Sequence, residues 1–446
     1  MNYGCREAAP PLGSEAECRE VWSADAFASS LFRAGPPAVP TRRGAMNVLR
    51  SERLAAALLL SAAALGILLA NLPIGAALIE AKQAHPLPLG PIDLSVGHMV
   101  SDGLLAIFFF IVAVELRREL VIGELNSFSK AGVPAIAALG GVAVPALVFL
   151  AFAGGGPTAD GWPVPTATDI AFALGVLAMF GRFIPTRVRV FLLALAVLDD
   201  LVGILVIAFF FTTSVDLAFL GFAAIAVTAF GMTSRLLRPR SPYILSRRAQ
   251  WPVILILCAL AVAAWVFVLL SGVHATIAGV MLGLVMSRRP AGRAGHLLEP
   301  WSNGVILPLF AFSSALVVVP QVRPSELDPA FWGILIGLPV GKLVGITVVG
   351  GLATMLLSRR NGITPLTWAD LATVGALGGI GFTVALLMNE LAFEELPGVI
   401  DQGTVAVLLG SGISIVLSAI VVSLRSRQYR RRGAAEGVGG PFAHPH

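Results

Sequence analysis

Two adjacent carboxylates, Asp199 and Asp200, stand near the middle of the apolar run VFLLALAVLDDLVGILVIAFFFT, which extends from Val190 to Thr212. As a helix, that run is long enough to cross a hydrocarbon layer about 30 Å thick. One ionisable group at such depth is expensive, and a second beside it adds repulsion whenever both are charged. A segment that only had to span would carry Leu or Ala at both positions. The pair points to an ion or proton site inside a membrane; static helix contacts are the plainer alternative.

The rest of the chain has the same character. Of its 446 residues, 57% are hydrophobic and only 13% charged, whereas soluble proteins carry about a quarter charged residues. Gly and Pro are abundant, as membrane helices tolerate: Gly lets backbones approach closely and either residue marks a break. Twelve apolar runs read as spans: 53–71, 98–116, 131–153, 166–180, 190–212, 218–234, 251–270, 272–286, 302–319, 331–357, 371–389 and 403–424. Runs 166–180 and 272–286 fall short of the usual ~20 residues, so they are read as tilted, broken or ending below the surface.

Charge alternates from loop to loop. Leaving aside Arg6, Arg19 and Arg33 near the start, the terminal segments and every second loop hold 25 of the 31 basic residues, among them Arg50, Arg117, Arg118, Arg187, Arg235, Arg288, Arg359 and Arg425. The intervening loops hold only Lys82 and Arg323, together with acids such as Glu80, Asp160, Asp216, Glu326, Glu394 and Asp401. This positive-inside pattern puts both termini in the cytoplasm, and one missed or spurious span would reverse it from that point onward. A net charge of +5 distributed in this way does not indicate nucleic acid. The predicted fold class is an all-α polytopic membrane protein with about twelve transmembrane helices.

Residues 1–46 are rich in Ala, Pro, Gly and Ser, without the pattern of a cleaved signal peptide, and read as a flexible extension. Residues 47–425 form the membrane domain and 426–446 a loose cytoplasmic tail. Cys5, Cys18 and Cys258 have neither zinc-site nor disulfide spacing, and nothing in the chain calls for a cofactor. The longest outer connection, Leu72 to Gly97, contains IDLSV, which suits a strand or hairpin arm.

Four ionisable side chains lie well inside spans: Asp169, Asp199, Asp200 and Lys342. Consecutive residues on a helix point about 100° apart, so one aspartate can line a cavity while the other faces a neighbour. A monovalent cation that displaces a proton from such a pair is the minimal machinery of an exchanger. Asp169 follows Pro163, Pro165, Thr166 and Thr168 in a span that looks too short, which suggests a discontinuous helix whose ends a carboxylate can neutralise. An ordinary helix N-cap is the other reading of Asp169. Lys342 lies in a Gly337, Gly341, Gly345 repeat that favours close helix approach, and it can serve as counter-ion or as proton carrier. The segment GALGGIGFT, 375–383, is the best candidate for a second broken helix. The two interrupted spans occupy middle positions in 131–212 and 331–424, three spans each, as inverted-topology repeats with two discontinuous crossing helices require.

Several stretches resemble the NhaA-type sodium/proton antiporters of bacterial inner membranes. They are SDGLLAIFFFIVAVELRREL, VPTATDIAFALGVLA, LALAVLDDLVGILVIAFFF, SGVHATIAGVMLG, LPLFAFSSA, GKLVGI and LGGIGFTVALLM, in family order from Met46 to Arg425. The resemblance implies electrogenic exchange of Na+ or Li+ for a larger number of protons, in the regulation of internal pH and sodium. It places cation and proton exchange at Asp199 and Asp200, with Lys342 pairing with Asp199. Asp169 and Lys342 compensate charge at the helix crossing, and Thr168 lies on the ion route. Asp102 and Glu115 are assigned to the cytoplasmic funnel and its pH response, and His274 to pH tuning. It also implies a homodimer in contact with membrane lipids. Two departures stand out: Leu343 replaces a proline after the lysine, and Glu299 replaces a histidine before the Pro-Trp pair. A proton- or sodium-coupled organic-anion symporter on a related scaffold is the alternative; it would need a substrate-sized pocket with basic recognition groups.

Overall fold

The computed structural model describes residues 52–86, 94–123, 128–212, 215–237, 250–319, 323–361 and 366–435. The expected N-terminal extension, the outer-loop stretch 87–93 and the last residues of the tail lie outside the described residues.

No strand occurs among the described residues. Helix α1, Glu52–Ala70, turns through 110° into α2, Gly75–Gln83. The corner needs glycine, because a Cβ on Gly75 would sit 2.0 Å from the Ala70 carbonyl oxygen. The described part of IDLSV is not a strand: Ser95 caps the next helix, α3, Val96–Val121, by accepting the His98 N–H at 3.2 Å. A side-chain acceptor for an otherwise orphaned N–H favours a helix start there.

The remaining helices are α4 Phe128–Ala153, α5 Ile170–Phe180, α6 Thr186–Phe210, α7 Leu217–Ser234, α8 Trp251–Leu270, α9 Thr276–Val285 and α10 Arg288–Trp301. They are followed by α11 Leu307–Ser314, α12 Pro329–Ile336, α13 Lys342–Asn361, α14 Trp368–Gly378, α15 Phe382–Ala392 and α16 Pro397–Ala435. Among the described residues, eight helical segments are long and apolar enough to cross a membrane, and two bent pairs, α1 with α2 and α14 with α15, raise the number to ten if each is one span. Large apolar side chains such as Leu147, Phe209, Ile225, Val262 and Leu356 stand exposed on them, as a lipid-facing belt requires. The chain is a polytopic membrane protein.

Two boundaries differ from the sequence reading. The loop expected before run 302–319 is helix α10, with Pro290, Ala291, Gly295 and Pro300 buried. The last helix does not stop at Arg425 but runs on to Ala435, because buried polar contacts continue where the apolar pattern ends.

Lys342 owes its position to close backbone contact. The glycine repeat ahead of and behind it packs α13 against α4: a Cβ on Gly345 would lie 2.2 Å from the Gly140 carbonyl oxygen, and one on Gly341 would lie 2.7 Å from the Pro145 Cα. Between α12 and α13 the chain widens into a π-type turn, Gly337–Gly341, which includes Pro339. A proline lacks the N–H that a regular turn would use, and the wider turn accommodates it. Leu343 then continues α13 as ordinary helix.

Candidate functional site

The first interruption comes from Pro163 and Pro165, which close a buried 3-10 turn, Val164–Thr166. The backbone then extends through Ala167 (ψ 153°) to Asp169 (ψ 102°) before α5 begins at Ile170. The second lies between α14 and α15, which bend by 53° about residues 379–381. Glycine serves a purpose there: a Cβ on Gly381 would meet the Leu338 side chain at 2.7 Å and the Ala167 carbonyl oxygen at 3.0 Å.

The two breaks bond to each other. The Asp169 N–H donates to the Ile380 carbonyl at 2.6 Å, and Thr168 Oγ1 donates to the Gly378 carbonyl at 2.9 Å. The Asp169 carboxylate accepts the Phe172 N–H at 3.2 Å, the Thr383 N–H at 3.3 Å and the Thr383 hydroxyl at 2.7 Å. Asp169 is therefore the N-cap of its own helix and also an acceptor at the start of α15. One carboxylate faces the partial positive charge of two helix starts.

Helix α6 brings in the dyad. Asp199 is 4% exposed and Lys342 0%; the Lys342 Nζ donates to Asp199 Oδ2 at 2.7 Å and Oδ1 at 2.9 Å, and to Thr168 Oγ1 at 3.0 Å. Thr168 thus links the ammonium to the last carbonyl of α14. Asp200, 8% exposed, interacts electrostatically with Asp199, Asp169, Glu115 and Lys342, and no side-chain hydrogen bond engages it among the described residues. A carboxylate with open lone pairs beside a neutral hydroxyl and an ion pair can accept a proton or ligate a hard monovalent cation. Asp199 can do the same only by giving up Lys342.

The other expected residues lie elsewhere. Asp102 and Glu115 lie at different levels of α3. They are separated by about 20 Å along α3, at a rise of 1.5 Å per residue. Asp102 is buried, its Oδ1 3.7 Å from His274 Nδ1, and its backbone carbonyl accepts the Trp265 indole N–H at 3.0 Å. Glu390 and Glu394 act on it electrostatically. Glu115 is exposed near the other end of the helix, close to Arg118 and Glu299 in charge terms and felt by Asp200. Glu299 lies on α10, 3.7 Å from His296.

Two features escaped the sequence reading. Thr383 was legible as the hydroxyl that closes GALGGIGFT, yet its role as donor to Asp169 depends on the crossing. The buried pair of Asp370 and Arg425, 2.9 Å apart, was signalled by Thr367-Trp-Ala-Asp370, a Thr-x-x-Asp capping pattern.

Buried carboxylates and a lysine where two interrupted helices cross, with eight to ten apolar spans among the described residues, define the secondary active transporter class; this is not an enzyme site. Residues 46–422 match the family described as Na+/H+ antiporter 1, and the chain belongs to that family. It is 56% identical over 390 residues to the Na(+)/H(+) antiporter NhaA 2 of Clavibacter michiganensis, covering 87% of this chain and 94% of the relative. It is 47% identical to the Na(+)/H(+) antiporter NhaA of Tropheryma whipplei strain Twist, over 90% of this chain and 100% of the relative. The NhaA protein of Mycolicibacterium smegmatis is 41% identical over 88% of this chain and 90% of its own length.

Proposed function

We propose that this protein exchanges Na+ for H+ at a site made by Asp199, Asp200 and Lys342, with Thr168 on the ion route and Asp169 balancing the helix starts. The observation that carries the reading is the fully buried Lys342–Asp199 pair, 2.7 Å apart, beside an Asp200 whose side chain no hydrogen bond engages among the described residues. A cation held by Asp200 gains a second anionic ligand when Asp199 leaves Lys342. The separated lysine then releases its proton, and Asp200 has lost its own to admit the ion. Proton return rebuilds the ion pair and expels the cation. One cation and more than one proton move per cycle, so exchange is electrogenic and the membrane potential drives export. Li+, also a hard monovalent cation, uses the same oxygens.

The reading extends to twelve crossings in two inverted repeats, both termini in the cytoplasm and residence in the bacterial inner membrane as a homodimer. Its supports are the matched breaks in 131–212 and 331–424 and the alternation of loop charge. The organic-anion alternative gains nothing from the site. The slot beside Thr383, lined by Leu105, Phe108, Phe109, Val384 and Leu387, has an empty volume of about 160 Å³, below the roughly 300–1,000 Å³ of small-molecule sites. Lys342 is already engaged by Asp199.

Everted membrane vesicles test the exchange. Added Na+ should collapse a preformed acid interior, and Asp200→Asn should abolish that response at normal protein level in the membrane. No Na+-dependent alkalinisation by the unaltered chain rejects the reading.

A further inference from the structure

The start of α14, far from the dyad, is gripped by buried polar contacts that the exchange site does not use. Thr367 Oγ1 accepts the Asp370 N–H at 3.2 Å, and Asp370 Oδ2 accepts the Thr367 N–H at 3.3 Å, so the two close a reciprocal cap. Arg425 of α16 reaches across both residues: its Nε donates to Asp370 Oδ1 at 2.9 Å and its Nη2 to Thr367 Oγ1 at 2.6 Å. The Tyr429 hydroxyl lies 2.9 Å and 3.0 Å from the two Asp370 oxygens, and the Arg425 guanidinium sits 4.6 Å from the Tyr429 ring centre. Arg187 of α6 approaches the same carboxylate at 3.9 Å. Asp370 is 0% exposed and Arg425 6%.

The same helix α16 also holds the second half of the broken span, where Ser411 Oγ accepts the Phe382 N–H at the start of α15 at 3.2 Å. Helix α14 is therefore a short rod, about 16 Å long at 1.5 Å per residue, with a fixed grip at one end and the exchange site at the other. Its last residue, Gly378, accepts the Thr168 hydroxyl at 2.9 Å, and Thr168 in turn accepts from Lys342. Sliding the rod by about 1 Å carries that hydrogen bond past its useful range.

We infer that Arg425 and Tyr429 are positioning residues for exchange: through Asp370 and Thr367 they set where α14 ends, and so hold Thr168 against Lys342. The inference rests on Asp199, Asp200 and Lys342 being the exchange site. Arginine suits the task because one planar fork spans the carboxylate and the hydroxyl, which an ammonium cannot do.

The test uses the full-length chain in proteoliposomes, with Na+-dependent proton exchange measured against Na+ concentration for Arg425→Gln, Arg425→Lys and Tyr429→Phe. Arg425→Gln should raise the KM for Na+ about tenfold while the maximal rate per inserted protein stays within about twofold; Arg425→Lys and Tyr429→Phe should each raise it about threefold. A KM unchanged in all inserted variants, whatever their maximal rate, overturns the inference. So does an Arg425→Gln chain that fails to insert while Tyr429→Phe and Arg425→Lys keep the parental KM, since the contacts would then serve folding alone. Amide hydrogen exchange over 375–383 separates this from failure of the exchange reading itself. If the parental chain exchanges no Na+, the exchange role falls with that reading. Faster amide exchange in Tyr429→Phe than in the parent then still supports coupling of the grip to the crossing, and equal rates remove it.

Discussion

Lys342 has no exposed surface, and its three ammonium protons find three acceptor atoms on two residues, Asp199 and Thr168. Removing one partner of such a pair leaves a charge in a place with no water, at a penalty of about 3–5 kcal/mol. Asp199→Ala should therefore lower the unfolding temperature of the detergent-solubilised protein clearly. Asp199→Ala combined with Lys342→Met should restore most of the loss, because no lone charge remains. If the double variant unfolds no later than the single one, the ion pair does not set the local stability. Neither variant should exchange ions. The pairing also shows what sequence could reveal at this scale. Asp199, Asp200, Asp169 and Lys342 were recognisable because ionisable groups are rare in apolar runs. Thr383 and Thr168 are unremarkable by type, and only the crossing aims their hydroxyls at charged partners.

At the scale of elements, glycine and proline carry most of the information. Pro163, Pro165 and the GALGGIGFT segment mark both interruptions, because one residue type lacks a donor and the other lacks a side chain. The Gly337, Gly341, Gly345 repeat marks the contact of α13 with α4. Gly345→Ala would put a Cβ 2.2 Å from the Gly140 carbonyl, and such overpacking costs about 1–3 kcal/mol. It should also displace Lys342 one turn away and slow exchange. Gly412→Ala is the control: nothing lies within 4 Å of the added Cβ, and replacing glycine in a helix stabilises by about 0.4–1 kcal/mol. Unfolding temperature and exchange rate, measured on both variants, should move in opposite directions for stability and only for Gly345→Ala in rate. Helix α10 and the last turns of α16 were harder to read. Their sequences, RRPAGRAGHLLEPW and SRQYRRR, are polar and contain proline or charge runs. Their helical form depends on partners distant in the chain, as when Ser426 Oγ accepts the Phe183 N–H at 3.3 Å.

For the whole molecule, the step from ten crossings to twelve turns on two stretches too short as helix to count as spans, α9 and 302–319. Of these, 302–319 is the less regular. Its segments Ser302–Ile306 and Leu307–Ser314 together rise about 20 Å. Ala315 closes the helix in a turn, and the four non-helical residues Leu316 to Val319 add at most about 13 Å. The sum matches the roughly 30 Å thickness of a hydrocarbon core. Extended backbone at membrane depth needs its polar groups satisfied by other parts of the protein. Asn71 does this: its Nδ2 donates to the Val317 carbonyl at 3.1 Å and its Oδ1 accepts the Val319 N–H at 3.0 Å. In the twelve-crossing topology we propose, this stretch crosses as helix followed by strapped non-helical chain, which predicts Gly292 and Ser325 on opposite faces. Single cysteines at those two positions, in a chain with Cys5, Cys18 and Cys258 changed to Ser, should react with a membrane-impermeant maleimide from opposite sides. Gly292→Cys should label in everted vesicles and Ser325→Cys in intact cells. Labelling of both from one side would remove a crossing and reverse the loop-charge pattern for every segment that follows, and Asn71→Leu should weaken insertion of this stretch if its side chain is what satisfies the extended backbone.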